Sequence, residues 1–183
     1  MGSALQGEDV RKPYVTMPVR KVISGGQIGA DVAGLRAAKR CGIRTGGRMP
    51  KGFLTLRGPQ PHMKEVFHVE EDTSALYPPR TYWNVKNSDG TVRFAEDFGT
   101  RGERCTLKAL TKFKRPYIDI QIRNDEWWPA RIVAWPPPSE LTDWLKRYNI
   151  EVLNIAGNAR SDLEKFIEQY LEEVFLRDGA YGK

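Results

Sequence analysis

In residues 22–31, which read VISGGQIGAD, an apolar strand runs directly into a glycine turn and then into a helix. Glycines at such a junction allow the main chain to turn tightly, and they allow a ligand to approach the backbone N–H groups. The start of a helix also presents free N–H donors and the positive end of the helix dipole, which favour anions. We therefore expect a phosphate-bearing or oxyanionic ligand close to residues 25–29.

The turn lacks the spacing of two common nucleotide-binding motifs. It has no G-x-G-x-x-G series, and it lacks the Gly-Lys-Ser/Thr ending of a P-loop. The glycines either contact a ligand or only allow the helix to pack tightly on the strand. Asp31, one turn into the helix, either contacts the ligand or stabilises the helix dipole. We predict ligand contacts at Ser24, Gly25, Gly26, Gln27 and Gly29.

Strands alternate with helices along the chain, which predicts a doubly wound, mainly parallel sheet with helices on both faces. Ligands of such sheets bind beyond the carboxyl ends of the strands, where loops at 24–29, 96–102 and 157–161 are expected. Apolar periodicity predicts strands at 19–24, 91–95, 117–122 and 152–156, a broken strand at 43–51, and a short strand near 132–135. Helices are predicted at 30–41, from 102 to before Pro116, at 139–148, and at 163–175 after a capping box at 161–164. Tyr148 is among the residues of the helix at 139–148 that are expected to face the core.

The chain of 183 residues is long enough for one sizeable core and too short for two comfortable domains. We predict a single domain at 18–178, a flexible N-terminal tail at 1–17 and a C-terminal tail at 179–183. No apolar run resembles a secretory signal or a membrane span, so we expect a cytoplasmic protein without a membrane partner. Two cysteines and two histidines form no cluster, so we expect no metal site.

Positive charge is concentrated in one segment of a chain whose formal net charge is +6. Most of these basic residues are expected to form a solvated face. Arg44, Arg48 and Lys51 are the exceptions, because they lie close to a glycine pair. We predict that Gly47, Arg48 and Lys51 contact an anionic ligand. A basic surface would also suit nucleic acid. Residues 32–64 contain no acidic side chain but contain Arg36, Lys39, Arg40, Arg44, Arg48, Lys51, Arg57 and Lys64.

A second helix is predicted to begin at another glycine-containing turn, in residues 99–106, which read GTRGERCT. Thr100, Gly102 and Thr106 are candidate anion contacts, because hydroxyl and N–H donors are available at a helix start. Thr100 as a simple N-cap is the alternative. Two helix starts that meet in one crevice would indicate a ligand more strongly than either would alone.

Other polar and aromatic residues carry weaker signals. Asn84, Ser88 and Asp89 precede the strand at 91–95 and are candidate ligand contacts, although a plain turn is favoured for Asp89. Asn154 lies inside a predicted strand, and we interpret it as a residue that braces a loop. The Trp127-Trp128 pair is expected to make a core or oligomer contact rather than to stack on bases.

Residues 23–31, 46–52, 80–91 and 153–157 read ISGGQIGAD, GGRMPKG, RTYWNVKNSDGT and LNIAG. Together these segments resemble the putative molybdenum carrier family of the SLOG superfamily, whose Rossmann-like domains bind nucleotides and related ligands. The resemblance spans roughly residues 19–175. It implies a homo-oligomer, dimer or tetramer, with an anionic ligand over the two glycine turns and beside Gly157. Molybdenum cofactor, with its phosphorylated pterin, or a nucleotide is the implied ligand.

The chain departs from this family at both turns. Ile28 stands where members usually have threonine, and the second turn reads Thr-Arg-Gly-Glu instead of Thr-Gly-Gly-Ser/Thr. The change creates Gly-Thr-x-x-Glu, which is similar to the catalytic motif of the lonely-guy phosphoribohydrolases, without the Pro-Gly-Gly that precedes it there. We therefore expect a carrier of a nucleotide-like or molybdopterin-like anion. A nucleoside 5′-monophosphate phosphoribohydrolase with catalytic Glu103 is the alternative, and a nucleic-acid accessory protein is the least expected.

Overall fold

The computed structural model describes residues 17–125 and 131–177, and a six-stranded sheet lies at its centre. Its strands are β1 (Lys21–Ser24), β2 (Arg44–Gly46), β7 (Gly90–Ala95), β8 (Tyr117–Asp125), β9 (Arg131–Trp135) and β10 (Val152–Gly157). Their order across the sheet is β2-β1-β10-β7-β8-β9. All neighbours are parallel except β8 and β9, which are antiparallel.

Helices cover both faces of the sheet, as predicted. The first face carries α1 (Ala30–Arg40), α5 (Pro138–Arg147) and α6 (Glu164–Leu176), which pack around the main apolar core. The second face carries α3 (Tyr77–Lys86) and α4 (Arg101–Phe113), which share a smaller cluster around Val85, Ala109 and Leu110. Strand β7 shows both environments, because Phe94 joins the main core while the neighbouring Arg93 donates to the main chain of α4.

The strand order is that of a doubly wound fold whose first unit has moved to the end of the chain. If β10 and α6 preceded β1 in the chain, β10 would be the first strand, β1 the second and β2 the third, followed by β7, β8 and β9. The order across the sheet would then be 3-2-1-4-5-6, as in the Rossmann fold. The switch point then lies between β10 and β7, because the helices that follow these strands cover opposite faces. In doubly wound folds the ligand crevice lies at the carboxyl ends of the strands that flank the switch point, which here are β10 and β7, next to the end of β1.

Residues 47–89 contain more structure than their glycines and prolines suggest. Two small sheets pair β3 (Arg48–Met49) with β6 (Glu70–Glu71), and β4 (Leu54–Thr55) with β5 (Gly58–Pro59). A 3₁₀ turn (Lys51–Phe53) and α2 (Met63–Phe67) close a second apolar cluster against α1. Helix α3 was missed because prolines occupy its first turn, where they are tolerated, and its buried face includes polar Thr81 and Asn84.

Two sequence-based details are wrong. The expected capping box at 161–164 does not form, because Ser161–Leu163 is a 3₁₀ turn without a side-chain cap and Glu164 reaches across to α1 instead. Tyr148, expected in the core, is 51% exposed.

The predicted tails, apart from Met17, and the Trp127-Trp128 pair lie outside the described residues. Met17 packs on the main core. None of the described helices is long and apolar enough to cross a bilayer.

Candidate functional site

The three loops expected at the carboxyl edge of the sheet do meet there, and Asn158 ties them together. Its side-chain oxygen accepts a hydrogen bond from the N–H of Glu96 at 2.9 Å, and its carbonyl oxygen accepts from Ala30 at 3.3 Å. Asn154, which we expected to brace a loop, instead donates to the Thr91 hydroxyl inside the sheet at 3.1 Å. Asn158 therefore connects the start of α1 with the loop that precedes α4.

The N–H groups of the glycine turn are occupied by oxygen atoms of the chain itself. The Ser24 hydroxyl accepts from Gly26 at 3.2 Å, and the Asp31 carboxylate accepts from Gln27 at 3.2 Å and from Gly25. Burial raises the pKa of Asp31, while Arg80 and these hydrogen bonds oppose that rise. The Asp31 carboxyl group thus occupies the N–H donors of this helix start.

The N–H groups of Ile28 and Gly29 also donate to oxygen atoms of the chain. The N–H of Gly29 donates to the Glu164 carboxylate at 3.1 Å. The Gln27 amide oxygen accepts from Ile28 at 3.1 Å and from Leu56 at 2.9 Å, so Gln27 braces the β4–β5 hairpin. An incoming anion would have to find its donors elsewhere in the crevice.

The glycines of the turn face different surroundings. A Cβ atom on Gly26, whose φ is +65°, would lie 2.5 Å from the Met49 sulfur in the second apolar cluster. A Cβ atom on Gly25 would lie 1.8 Å from Nη1 of Arg80 and 2.8 Å from the Asp31 carboxylate. Gly25 therefore faces Arg80 and Asp31, and Gly26 faces the second apolar cluster.

Arg80 lies at the glycine turn, although the sequence analysis did not predict it as a ligand contact. Its Nη1 lies 3.5 Å from the Asp31 carboxylate, its side chain is 13% exposed, and its buried Nε has no hydrogen-bond partner. A buried N–H donor without a partner lowers stability, so the position of this side chain calls for an explanation. Recognition of α3 from the sequence would have placed Arg80 near the carboxyl edge, because a helix that precedes a parallel strand begins at that edge.

Glu103 lies in the first turn of α4 and is only 2% exposed. Its Oε2 lies 3.6 Å from Nη1 of Arg93 and accepts no hydrogen bond. Arg93 instead binds Asp119 with two hydrogen bonds of 2.7 and 2.6 Å. Burial raises the pKa of Glu103 from 4.5 to about 7, opposed by Arg93 and reinforced by Asp31 and Asp119. Such a carboxyl group can donate or accept a proton near neutral pH.

The hydroxyl groups of the second turn are used inside α4. The Thr100 side chain accepts from the N–H of Glu103 at 3.3 Å, which is the N-cap alternative. Thr106 donates to the carbonyl oxygen of Gly102 at 3.2 Å. Gly102 itself is exposed.

Comparison with known proteins agrees with the fold and identifies the family. The profile of the circularly permutated YpsA SLOG family matches residues 22–177. The chain belongs to this SLOG family. The permutation in the family description corresponds to the placement of β10 and α6 at the end of the chain.

The suspected relationship to molybdenum carriers is also confirmed for this SLOG chain. It is similar to the crystal structure of a putative molybdenum carrier protein from Syntrophus aciditrophicus SB, with 31% sequence identity and a TM-score of 0.69. The likeness covers 87% of this chain and 96% of that one. No curated protein matches the chain.

Two candidates of the SLOG chain lie away from the crevice. Ser88 donates to the carbonyl oxygen of Val85 at 3.0 Å, and the Asp89 carboxylate accepts from Val152 at 2.7 Å. Both precede β7, whose six residues place them about 20 Å from its carboxyl end. Ser88 and Asp89 therefore lie at the amino ends of the strands, far from the glycine turn. This corrects our expectation that they would contact the ligand.

The second glycine pair does lie beside the first turn. A Cβ atom on Gly47 would meet the carbonyl oxygen of Ser24 at 2.2 Å, so the two backbones touch. Asn84 holds the next residue by accepting from the N–H of Arg48 at 2.9 Å and donating to its carbonyl at 3.0 Å.

The two cations after the second glycine pair differ in their surroundings. The Arg48 guanidinium pairs with Glu70 at 3.3 Å and lies 3.9 Å from the Asp72 carboxylate. It also lies 4.3 Å from the centre of the Trp83 ring. Lys51 is exposed. The charge of Arg48 is therefore balanced by two carboxylates of the chain, although its buried Nε, like that of Arg80, has no hydrogen-bond partner.

Within residues 17–125 and 131–177, no three His, Cys, Asp or Glu side chains gather closely enough to hold a metal ion.

Proposed function

We propose that this SLOG protein binds a small nucleotide-like or molybdopterin-like anion in the crevice beside Arg80 and serves as a carrier of molybdenum cofactor. The buried Nε of Arg80, which has no hydrogen-bond partner, is the main support. Asp31 lies at 3.5 Å and already accepts main-chain hydrogen bonds, so it balances Arg80 incompletely.

The chemistry of the crevice fits such a ligand. A guanidinium presents a planar fork of donors that matches phosphate and other oxyanions. Glycine at position 25 makes room for the Arg80 guanidinium, and the ligand would bind that guanidinium at the carboxyl edge of the sheet. The name of the Syntrophus relative supports a molybdenum-containing anion as cargo.

Replacing Arg80 with glutamine is expected to weaken binding of molybdate or AMP by roughly 1.5–3 kcal/mol, the scale of a hydrogen bond to a charged group. Lys86→Gln is the matched control, because it removes one exposed positive charge from the other end of α3. Calorimetry on both variants, shown to be folded by circular dichroism, makes the comparison. Equal affinities in the two variants would show that Arg80 does not contact the ligand.

Native mass spectrometry of freshly purified protein, with elemental analysis for molybdenum, tests the identity of the cargo. The carrier proposal expects a bound mass that carries molybdenum or a pterin phosphate. A bound nucleotide without molybdenum would leave anion binding in place and refute the carrier role.

A second candidate function, cleavage of the N-glycosidic bond of a nucleoside 5′-monophosphate, is favoured by Glu103. A buried carboxyl group with a pKa of about 7 can activate the water that attacks C1′ or protonate the departing base. Water would supply the hydroxyl group on ribose 5-phosphate and the hydrogen on the base nitrogen.

If the chain is a hydrolase, Glu103→Gln should lower turnover of AMP by about 100-fold or more and leave AMP affinity nearly unchanged. Release of ribose 5-phosphate is the measurement. A wild-type protein that binds AMP and releases no ribose 5-phosphate would eliminate this function and leave the carrier.

We also propose that the protein is a homo-oligomer and that it is located in the cytoplasm. Analytical ultracentrifugation tests the first, and cell fractionation tests the second.

A further inference from the structure

A cleft of about 480 Å³ opens at the amino edge of the sheet, on the side of β1 and β2 and away from Arg80. We call it the amino-edge cleft. Its polar lining consists of Lys21, Lys39, Arg44, Thr45, Glu65 and His68. It contains part of the acid-free basic segment that the proposed function leaves unexplained.

Neighbouring strands hold two of its cations side by side. Lys21 and Arg44 are register partners in β1 and β2, and β2 is an edge strand. The Lys21 side chain runs along the backbone of β2, where a Cβ atom on Gly46 would lie 2.8 Å from its Cε and 3.1 Å from its Nζ. Glycine at position 46 therefore makes room for the lysine.

Lys39 reaches the cleft from the last turn of α1. Its ammonium group donates to the carbonyl oxygen of Val66 at 3.1 Å and lies 5.6 Å from the centre of the Phe67 ring. These contacts fix the position of the charge without neutralising it, because both partners are uncharged.

Among the described residues, no carboxylate lies within salt-bridge range of Lys21, Lys39 or Arg44. The contrast with the rest of α1 is clear, since Arg36 and Arg40 bind the glutamates of α6. The lining of the cleft therefore holds three uncompensated cations and one carboxylate, that of Glu65.

We infer that the amino-edge cleft is a second anion site, which binds a small molecule through a phosphate group. Three separated positive charges suit a multiply charged group with several acceptor oxygens. The volume falls in the usual range of small-molecule sites, about 300–1,000 Å³. The amino-edge cleft shares no residue with the proposed site beside Arg80, so either proposal can be refuted without the other.

Pyrophosphate titrated calorimetrically at low salt into the Arg80→Gln protein, in which the other site is impaired, tests the inference. We expect saturable binding that Lys21→Gln and Arg44→Gln each weaken about fivefold or more, as for loss of a charge-assisted contact. Lys86→Gln is the control, because it removes one exposed positive charge that does not line the cleft. It should change the affinity by less than about twofold, since exposed distant charges are screened.

Amide NMR shifts upon pyrophosphate addition give a second measurement, and they should be confined to residues near 21, 39–46 and 65–68. Three outcomes would overturn the inference: absence of saturable binding, equal losses in Lys86→Gln and Arg44→Gln, or shifts centred on residues 24–31. Tighter binding of an oligonucleotide than of pyrophosphate, with a steep salt dependence, would assign the surface to nucleic acid instead.

Discussion

The Glu103→Gln protein should resist urea better than the wild type at pH 8 and almost no better at pH 4.5. Glu103 is buried, and its pKa is about 7 in the folded protein against 4.5 when it is unperturbed. Between these values the unfolded chain has released the proton while the folded chain still holds it, so wild-type stability falls as the pH rises. Glutamine resembles the neutral carboxyl group and avoids this loss, which amounts to about 3 kcal/mol once the pH exceeds both values.

Urea denaturation of both proteins across pH 4.5–8 makes the measurement, with the difference between their free energies of unfolding as the readout. Other titrating groups largely cancel in this difference because both proteins contain them. A variant that is less stable than the wild type at pH 8 would show that the Glu103 carboxylate is stabilised by Arg93, 3.6 Å away, more than it is penalised by burial.

A stabilising Glu103→Gln substitution would also bear on function. Functional sites of natural proteins often contain buried ionisable side chains that reduce stability. The burial that reduces stability also shifts the pKa of the side chain and makes it reactive. If the variant gains stability at pH 8 but loses ligand affinity or turnover, Glu103 contacts the ligand. If it gains stability and changes nothing else, Glu103 is not part of the site.

The Gly157→Ala protein should be less stable than the wild type by at least about 3 kcal/mol, as expected for severe overpacking and backbone strain. Gly157 ends β10 with a φ of +155°, and a Cβ atom there would lie 2.1 Å from the carbonyl oxygen of Phe94 and 2.7 Å from Cβ of Ala30. Neither neighbour can move easily, because Phe94 lies in β7 and Ala30 begins α1.

Gly102→Ala is the matched control for the same chemical change. Gly102 lies in the first turn of α4, and a Cβ atom there would have no neighbour within 4 Å. Alanine should therefore raise stability by up to about 1 kcal/mol, because it reduces the freedom of the unfolded chain. Thermal unfolding should separate the two variants by roughly 10 °C. A Gly157→Ala protein that melts with the wild type but no longer binds its anion would assign Gly157 to the ligand rather than to packing.

Local patterns were sufficient for the architecture. The 3.6-residue periodicity of α1 and α6 and the apolar runs of β1, β7, β8 and β10 follow from which face of each element is buried, and each pattern is contained within its own segment. The glycine turn and the start of α4 were recognisable for the same reason, since strand, turn and helix are adjacent in the chain. Helix α3 escaped because its prolines and polar buried face give no such pattern.

The contents of the site depended on contacts between distant segments. Position along the chain shows that Asp31 follows a glycine turn, but it does not show that Asp31 fills the turn while Arg80, 49 residues away, lies over Gly25. Likewise, Arg93 and Glu103 are buried together only because β7 and α4 pack against each other. These neighbours were decided by the tertiary structure, in which β10 lies between β1 and β7, because the pairing of strands distant in sequence leaves no periodic trace in any one of them.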